Sequence, residues 1–196
     1  MARYLCVMKV LSGEEGELAL RIARGALEAH LAGMPYRLPP APRVFSDKRG
    51  VFVTLTEQGM LRGCIGLPLP VLPLGEALVE AAVSAGTGDP RFPPVSEGDL
   101  PQIRMEVTVL SVPEPLAGPP AERPMRVEVG RHGLIMKGWG RSGLLLPQVA
   151  TEYRWTPAEF LEHTCGKAGL PPGCWKSPDV EVLTFEGQVF SEPETE

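Results

Sequence analysis

The chain has 196 residues and a formal net charge of −5, a length that suits one large domain or two small lobes. With 43% hydrophobic and 22% charged residues it can build a core without metal or disulfide staples, and disorder over most of its length is excluded. Neither half carries the excess of Lys and Arg that a phosphate backbone demands, which argues against nucleic-acid binding.

Gly and Pro, 22 of each, show no period and predict many turns and short elements. The apolar stretch within residues 1–11 is broken by Lys9 and is too short for a secretion signal, and no apolar run approaches the ~18 residues of a membrane span. A cytoplasmic protein is expected, with Cys6, Cys64, Cys165 and Cys174 as reduced thiols. The absence of Asn, with 14 Arg against 5 Lys, suits a heat-adapted source.

The first predicted element is a helix over 12–33, with Ser12 and Glu15 forming a capping box and Gly33 ending it. Glu17, Arg21, Arg24 and Glu28 fall on one side as a solvated stripe. A Pro-rich connector (Pro35, Pro39, Pro40, Pro42) leads to a strand over 51–55, a turn over 57–60 and a return strand over 61–66. An Ala-rich helix is expected over 74–85, with Glu76 and Glu80 on one face, then a rigid loop over 89–94. Residues 103–110 alternate as a strand, and 113–124 read as a surface connector. Three short strands are expected over 125–129, 134–137 and 143–146, with Trp139 at a hairpin turn covering the core. Thr156, Pro157 and Glu159 open a helix that runs to about Ala168. A last strand covers 180–185, and 191–196 read as a frayed tail. Strands joined by tight turns cannot be parallel neighbours, so the fold class is α+β, with a largely antiparallel sheet and flanking helices.

The richest segment chemically is Leu61-Arg62-Gly63-Cys64-Ile65-Gly66. On a regular strand Arg62 and Cys64 share a face, where a guanidinium beside a thiol favours the thiolate, while Gly63 and Gly66 admit a backbone or a ligand. The alternative makes Cys64 a small buried hydrophobe and pairs Arg62 with a carboxylate. Asp89 and Arg91 flank Pro90 and either meet a ligand or brace the loop. His132 is a candidate proton carrier or a structural hydrogen-bonding group. Glu152 is a further candidate carboxylate. His163, Cys165 and Cys174 lack the spacing of a zinc site, so no metal or other cofactor is expected. The Gly-rich run 138–143 opens no helix and is no phosphate loop.

The block 61–66, followed by Gly88-Asp89-Pro90-Arg91-Phe92, Arg131-His132-Gly133-Leu134 and Gly143-Leu144-Leu145-Leu146-Pro147-Gln148-Val149-Ala150, resembles the AMMECR-type domain family, also called AmmeMemoRadiSam system protein A. Glu152, Trp155, Phe160, Leu161 and Cys165 extend the resemblance to nearly the whole chain. It implies a single domain over 1–196 with two unequal lobes and the signature near a groove between them. No reaction follows from it. The tendency of family members to occur beside a Memo-type protein and a radical S-adenosylmethionine enzyme implies a shared pathway. Two functions remain open: a pathway component that binds a small anionic ligand or modified side chain through Arg62, with Cys64 and His132 as catalytic candidates, or a noncatalytic interaction module in which Cys64 is packing.

Overall fold

The computed structural model describes residues 10–193. Strand and helix periodicity is carried through as expected at the N-terminal end. Helix α1 (Gly13–Leu31) starts at the Ser12/Glu15 capping box, which satisfies the first free amides reciprocally. Strands β1 (Val51–Glu57) and β2 (Met60–Leu67) form the hairpin. Helix α2 (Leu74–Thr87) follows, and strand β3 (Ile103–Leu110) pairs antiparallel with β1. Val51, Val53 and Leu55 of β1 and Met105, Val107 and Val109 of β3 point to one face. There they meet Ile22, Ala23 and Leu27 of α1 and Leu78, Ala81 and Ala82 of α2, a two-layer core.

The described residues divide into two compact units, one of residues 10–111 with 188–193, the other of 112–187. In place of one sheet there are two of four strands. The first has the order β2-β1-β3-β8, because strand β8 (Gly187–Ser191), absent from the sequence reading, returns to the edge of β3. The second sheet, β4-β7-β5-β6, is built from β4 (Glu114–Pro115), β5 (Gly133–Gly138), β6 (Arg141–Leu145) and β7 (Glu181–Phe185). Its core joins Leu134, Met136 and Val182 to Phe160 and Leu161 of the helix opened by the Thr156/Glu159 capping box.

Three expectations fail for identifiable reasons. The strand foreseen over 125–129 is interrupted by a helical turn, α3 (Arg123–Arg126), since Pro124 fits a helix start and Arg123 is tied by its guanidinium to the carbonyls of Trp175, Ser177 and Val180. A short helix to which the sequence reading assigned no element, α4 (Pro147–Glu152), precedes Tyr153, and the helix after it is α5 (Pro157–Lys167), as expected. Trp139 is 56% exposed and covers no core. The charged stripe on α1 is broken at Arg24, which binds both carboxylate oxygens of Glu192 and the carbonyl of Ile103.

That contact also corrects the frayed tail. Ser191 closes β8 and Glu192 accepts the Met105 amide at 2.8 Å, whereas residues 194–196 lie outside the described part. The expectation of four reduced thiols is overturned too. Cys165, near the end of α5, and Cys174 lie with Cα atoms 6.1 Å apart and form a disulfide. Cys64 is a free thiol and Cys6 lies outside the described residues.

Candidate functional site

Strand β2 lies at an edge of its sheet, so the outward amides and carbonyls of every second residue need partners other than a strand. At Cys64 the partners come from the loop after α2. The Asp89 carboxylate accepts the Cys64 N–H at 2.9 Å, and the Arg91 guanidinium donates to the Cys64 carbonyl at 3.2 Å. Acceptor and donor thus stand where a neighbouring strand would present its own carbonyl and amide.

Asp89 and Arg91 are locked to each other by a fork, Nε to Oδ1 at 2.9 Å and Nη2 to Oδ2 at 2.7 Å, and Asp89 also accepts the Arg91 amide at 3.1 Å. The Asp89 side chain is 2% exposed and that of Arg91 is 55% exposed. The Arg91 guanidinium on both carboxylate oxygens, helped by the Cys64 amide, holds Asp89 far below the usual carboxylate range despite its burial.

The other end of the loop is gripped by Arg62. Register shifts between Leu55 and Thr56, which pair with Gly63 and Leu61, so Arg62 is the extra residue of a β-bulge. Its guanidinium donates to the carbonyls of Pro93 at 2.6 Å and Pro94 at 3.4 Å, with Glu57 3.7 Å from Nε. This corrects the expected Arg62–Cys64 juxtaposition: the bulge breaks the alternation on which it rested, and the guanidinium held against Cys64 is that of Arg91. Thr54 opposes Cys64 on β1, and among the described residues the thiol's hydrogen-bond partner is the Thr54 hydroxyl, whose O–H points to Sγ over 3.4 Å.

The two signature glycines serve packing. A Cβ at Gly63 would stand 2.1 Å from the carbonyl oxygen of Ala85, so only glycine lets α2 lie flush on the strand. A Cβ at Gly66 would run into the Phe52 ring at 2.3 Å. The backbone approach inferred from sequence is therefore real, and what approaches is the protein itself.

Arg62, Gly63, Cys64, Gly66, Asp89 and Arg91 are gathered in the first unit, whereas His132 and Glu152 belong to the second. His132 is half-buried and its Nδ1 accepts the Glu128 amide at 3.1 Å. Burial pushes its pKa down, so the ring is neutral at neutral pH and works as an acceptor that closes a turn. Glu152 is an exposed residue at the end of α4. His163 stacks on Trp155 at 3.9 Å, and Cys165 and Cys174 are spent on each other. No cluster of three or more His, Cys, Asp or Glu suited to a metal occurs among the described residues. Sequence reasoning missed that the Asp89 loop and Arg62 hold each other. The signal was there in the paired blocks 61–66 and 88–92.

Two antiparallel four-stranded sheets, each with its own helices, and a strand edge closed by an Asp-Pro-Arg loop define an α+β class of protein. Comparison with known proteins agrees. A family model described as AMMECR1 matches residues 20–190, and the chain belongs to that family. A protein of Methanothermobacter thermautotrophicus is 55% identical over 186 residues, covering 93% of this chain and 96% of that one. Protein MK0488 of Methanopyrus kandleri is 50% identical, covering 95% and 92%. A crystal structure of uncharacterized protein PH0010 from Pyrococcus horikoshii superposes with a TM-score of 0.81 at 45% identity, over 93% of this chain and 94% of that one. No helix among the described residues is long and apolar enough to cross a membrane.

Proposed function

We propose that the chain is a noncatalytic binding module and that Cys64 is a half-buried structural residue of its frame. One observation carries this reading: the charged groups around Cys64 are committed to the fold. Arg62 is held by two proline carbonyls, and Asp89 and Arg91 neutralise each other while closing the strand edge. A nucleophilic thiol needs a neighbouring base or an uncompensated cation, and the Thr54 hydroxyl supplies neither. The alternative, a pocket for a small anion, draws support from the exposed Arg91 side chain, whose Nη1 has no acceptor among the described residues.

The test is the rate of alkylation at Cys64 against pH, read by mass spectrometry in the folded and unfolded protein. The binding-module reading expects slow labelling, brought up to the ordinary rate of a thiol of pKa ~8.5 on unfolding. Fast labelling at neutral pH that Arg91→Ala abolishes would overturn it in favour of an activated thiol. A Memo-type protein and a radical S-adenosylmethionine enzyme are the partners to test first, as the resemblance implies. A cytoplasmic setting is compatible with the Cys165–Cys174 disulfide in a heat-adapted source, because intracellular proteins of hyperthermophiles are disulfide-rich.

A further inference from the structure

The first unit carries a second feature, away from the clasped strand edge. The connector after α1 crosses α2 and leaves an open groove of about 490 Å³, lined by Tyr36, Leu38, Leu72, Glu76, Val79 and Glu80. Its floor is apolar. Tyr36 lies against Gly25 of α1 and Leu38 against Gly75 in the first turn of α2, so the connector is seated on both helices. Leu38 nonetheless remains 45% exposed, an apolar cost the fold does not relieve.

The rim is acidic. Glu76 and Glu80 stand one helical turn apart on α2, both exposed, and neither forms an ion pair among the described residues. Like charges at this spacing oppose each other, and α2 keeps both without a compensating cation. An apolar floor beside two unpaired carboxylates selects its occupant by charge. A second copy of this chain, with 24 acidic against 19 basic side chains, is a poor match. A small molecule would want convergent, enclosed polar groups, and the groove offers carboxylates at an open rim.

We infer that this groove docks a basic amphipathic helix of a partner protein, one that lays aliphatic side chains on Tyr36, Leu38 and Val79 and presents Lys or Arg to Glu76 and Glu80. Burial of the apolar ridge supplies affinity, and the two carboxylates set register and sign. The inference rests on the binding-module reading, but its test does not involve Cys64, so the two fail separately.

The experiment uses the full chain and a short fluorescent peptide of leucine and lysine patterned as an amphipathic helix, with its leucine–glutamate counterpart as comparison. Fluorescence anisotropy should show binding of the lysine peptide and none of the glutamate peptide. Glu76→Gln/Glu80→Gln should weaken binding about five- to tenfold, with a smaller loss at high salt. Leu38→Ala should weaken it to a similar degree at every salt concentration. Glu17→Gln/Glu97→Gln, which removes the same net charge elsewhere, should leave the affinity within about twofold. Equal binding of both peptides, or equal loss in the control pair, would overturn the inference. So would a sedimenting dimer abolished by the groove substitutions, since the occupant would then be a second copy.

Discussion

Replacing Asp89 with alanine removes the acceptor that holds both the Cys64 and the Arg91 amides. A buried donor left unpaired costs roughly 1 to 3 kcal/mol. The Arg91 guanidinium, 55% exposed, rehydrates when its partner is lost and adds little. Water can reach the amide of the exposed Arg91, so the cost is about 1 to 3 kcal/mol, and Arg91→Ala, which leaves the buried Asp89 carboxylate without its cation, should destabilise as well. The sign of the pH dependence follows from Asp89 being depressed in the folded protein. Its contribution is fully present above the unfolded carboxyl value of ~3.9 and is lost as pH falls towards the folded value, so Asp89→Ala should flatten the acid limb of the stability profile. The assay is urea unfolding followed by far-UV circular dichroism at pH 7 and at stepped acidic pH, with the slope checked for constancy. Trp fluorescence is the wrong probe, since Trp139, Trp155 and Trp175 all lie in the second unit. A loss below about 0.5 kcal/mol, the range of ordinary surface changes, would refute the clasp as a structural anchor.

The same distribution of tryptophans tests whether the units unfold together: one cooperative transition requires the fluorescence and circular dichroism curves to coincide, and separated midpoints would show that they melt independently. The disulfide closes a separation of nine residues, for which chain entropy gives about 2.6 kcal/mol, so Cys165→Ala/Cys174→Ala should lower stability of the second unit by roughly that amount. Unchanged fluorescence-detected melting would mean that the bond constrains nothing. Glu192→Ala removes the carboxylate partner of Arg24, which keeps the Ile103 carbonyl, and the acceptor of the Met105 amide, and should cost about 2 kcal/mol by circular dichroism, while a neutral outcome would return the tail to the frayed state read from sequence.

What could be read from the chain without its structure was whatever depends on near neighbours. Both capping boxes, the β1–β2 hairpin and the alternation in β3 are local patterns, and each is found where its residues put it. What could not be read depends on groups far apart in sequence. Strand β8 is short and amphipathic, and only β3 some eighty residues earlier makes it a strand. The Cys165–Cys174 bond depends on the turn after α5, which spacing alone does not specify. At the site, Arg62 and Cys64 were identified but wrongly related, because a one-residue bulge is invisible to a rule of alternation.

The clasp also explains why two sequence blocks separated by a helix belong to one signature. The Gly63 position is constrained by the Ala85 carbonyl, Gly66 by the Phe52 ring, the Cys64 backbone by Asp89 and Arg91, and Arg62 by the carbonyls of Pro93 and Pro94. Proline is apt at those last two positions, since it offers a carbonyl without an amide that would need its own partner. Each block is therefore required by the other for reasons of edge closure, before any ligand is considered. Mutual hydrogen bonding accounts for these contacts, and under the binding-module reading the function is sought in groups the frame leaves unspent. Among such groups of the first unit are one nitrogen of Arg91 and the carboxylates of Glu76 and Glu80. The carboxylate pair borders an apolar groove, and it is this pairing of charge and apolar surface that favours a partner helix as the occupant there.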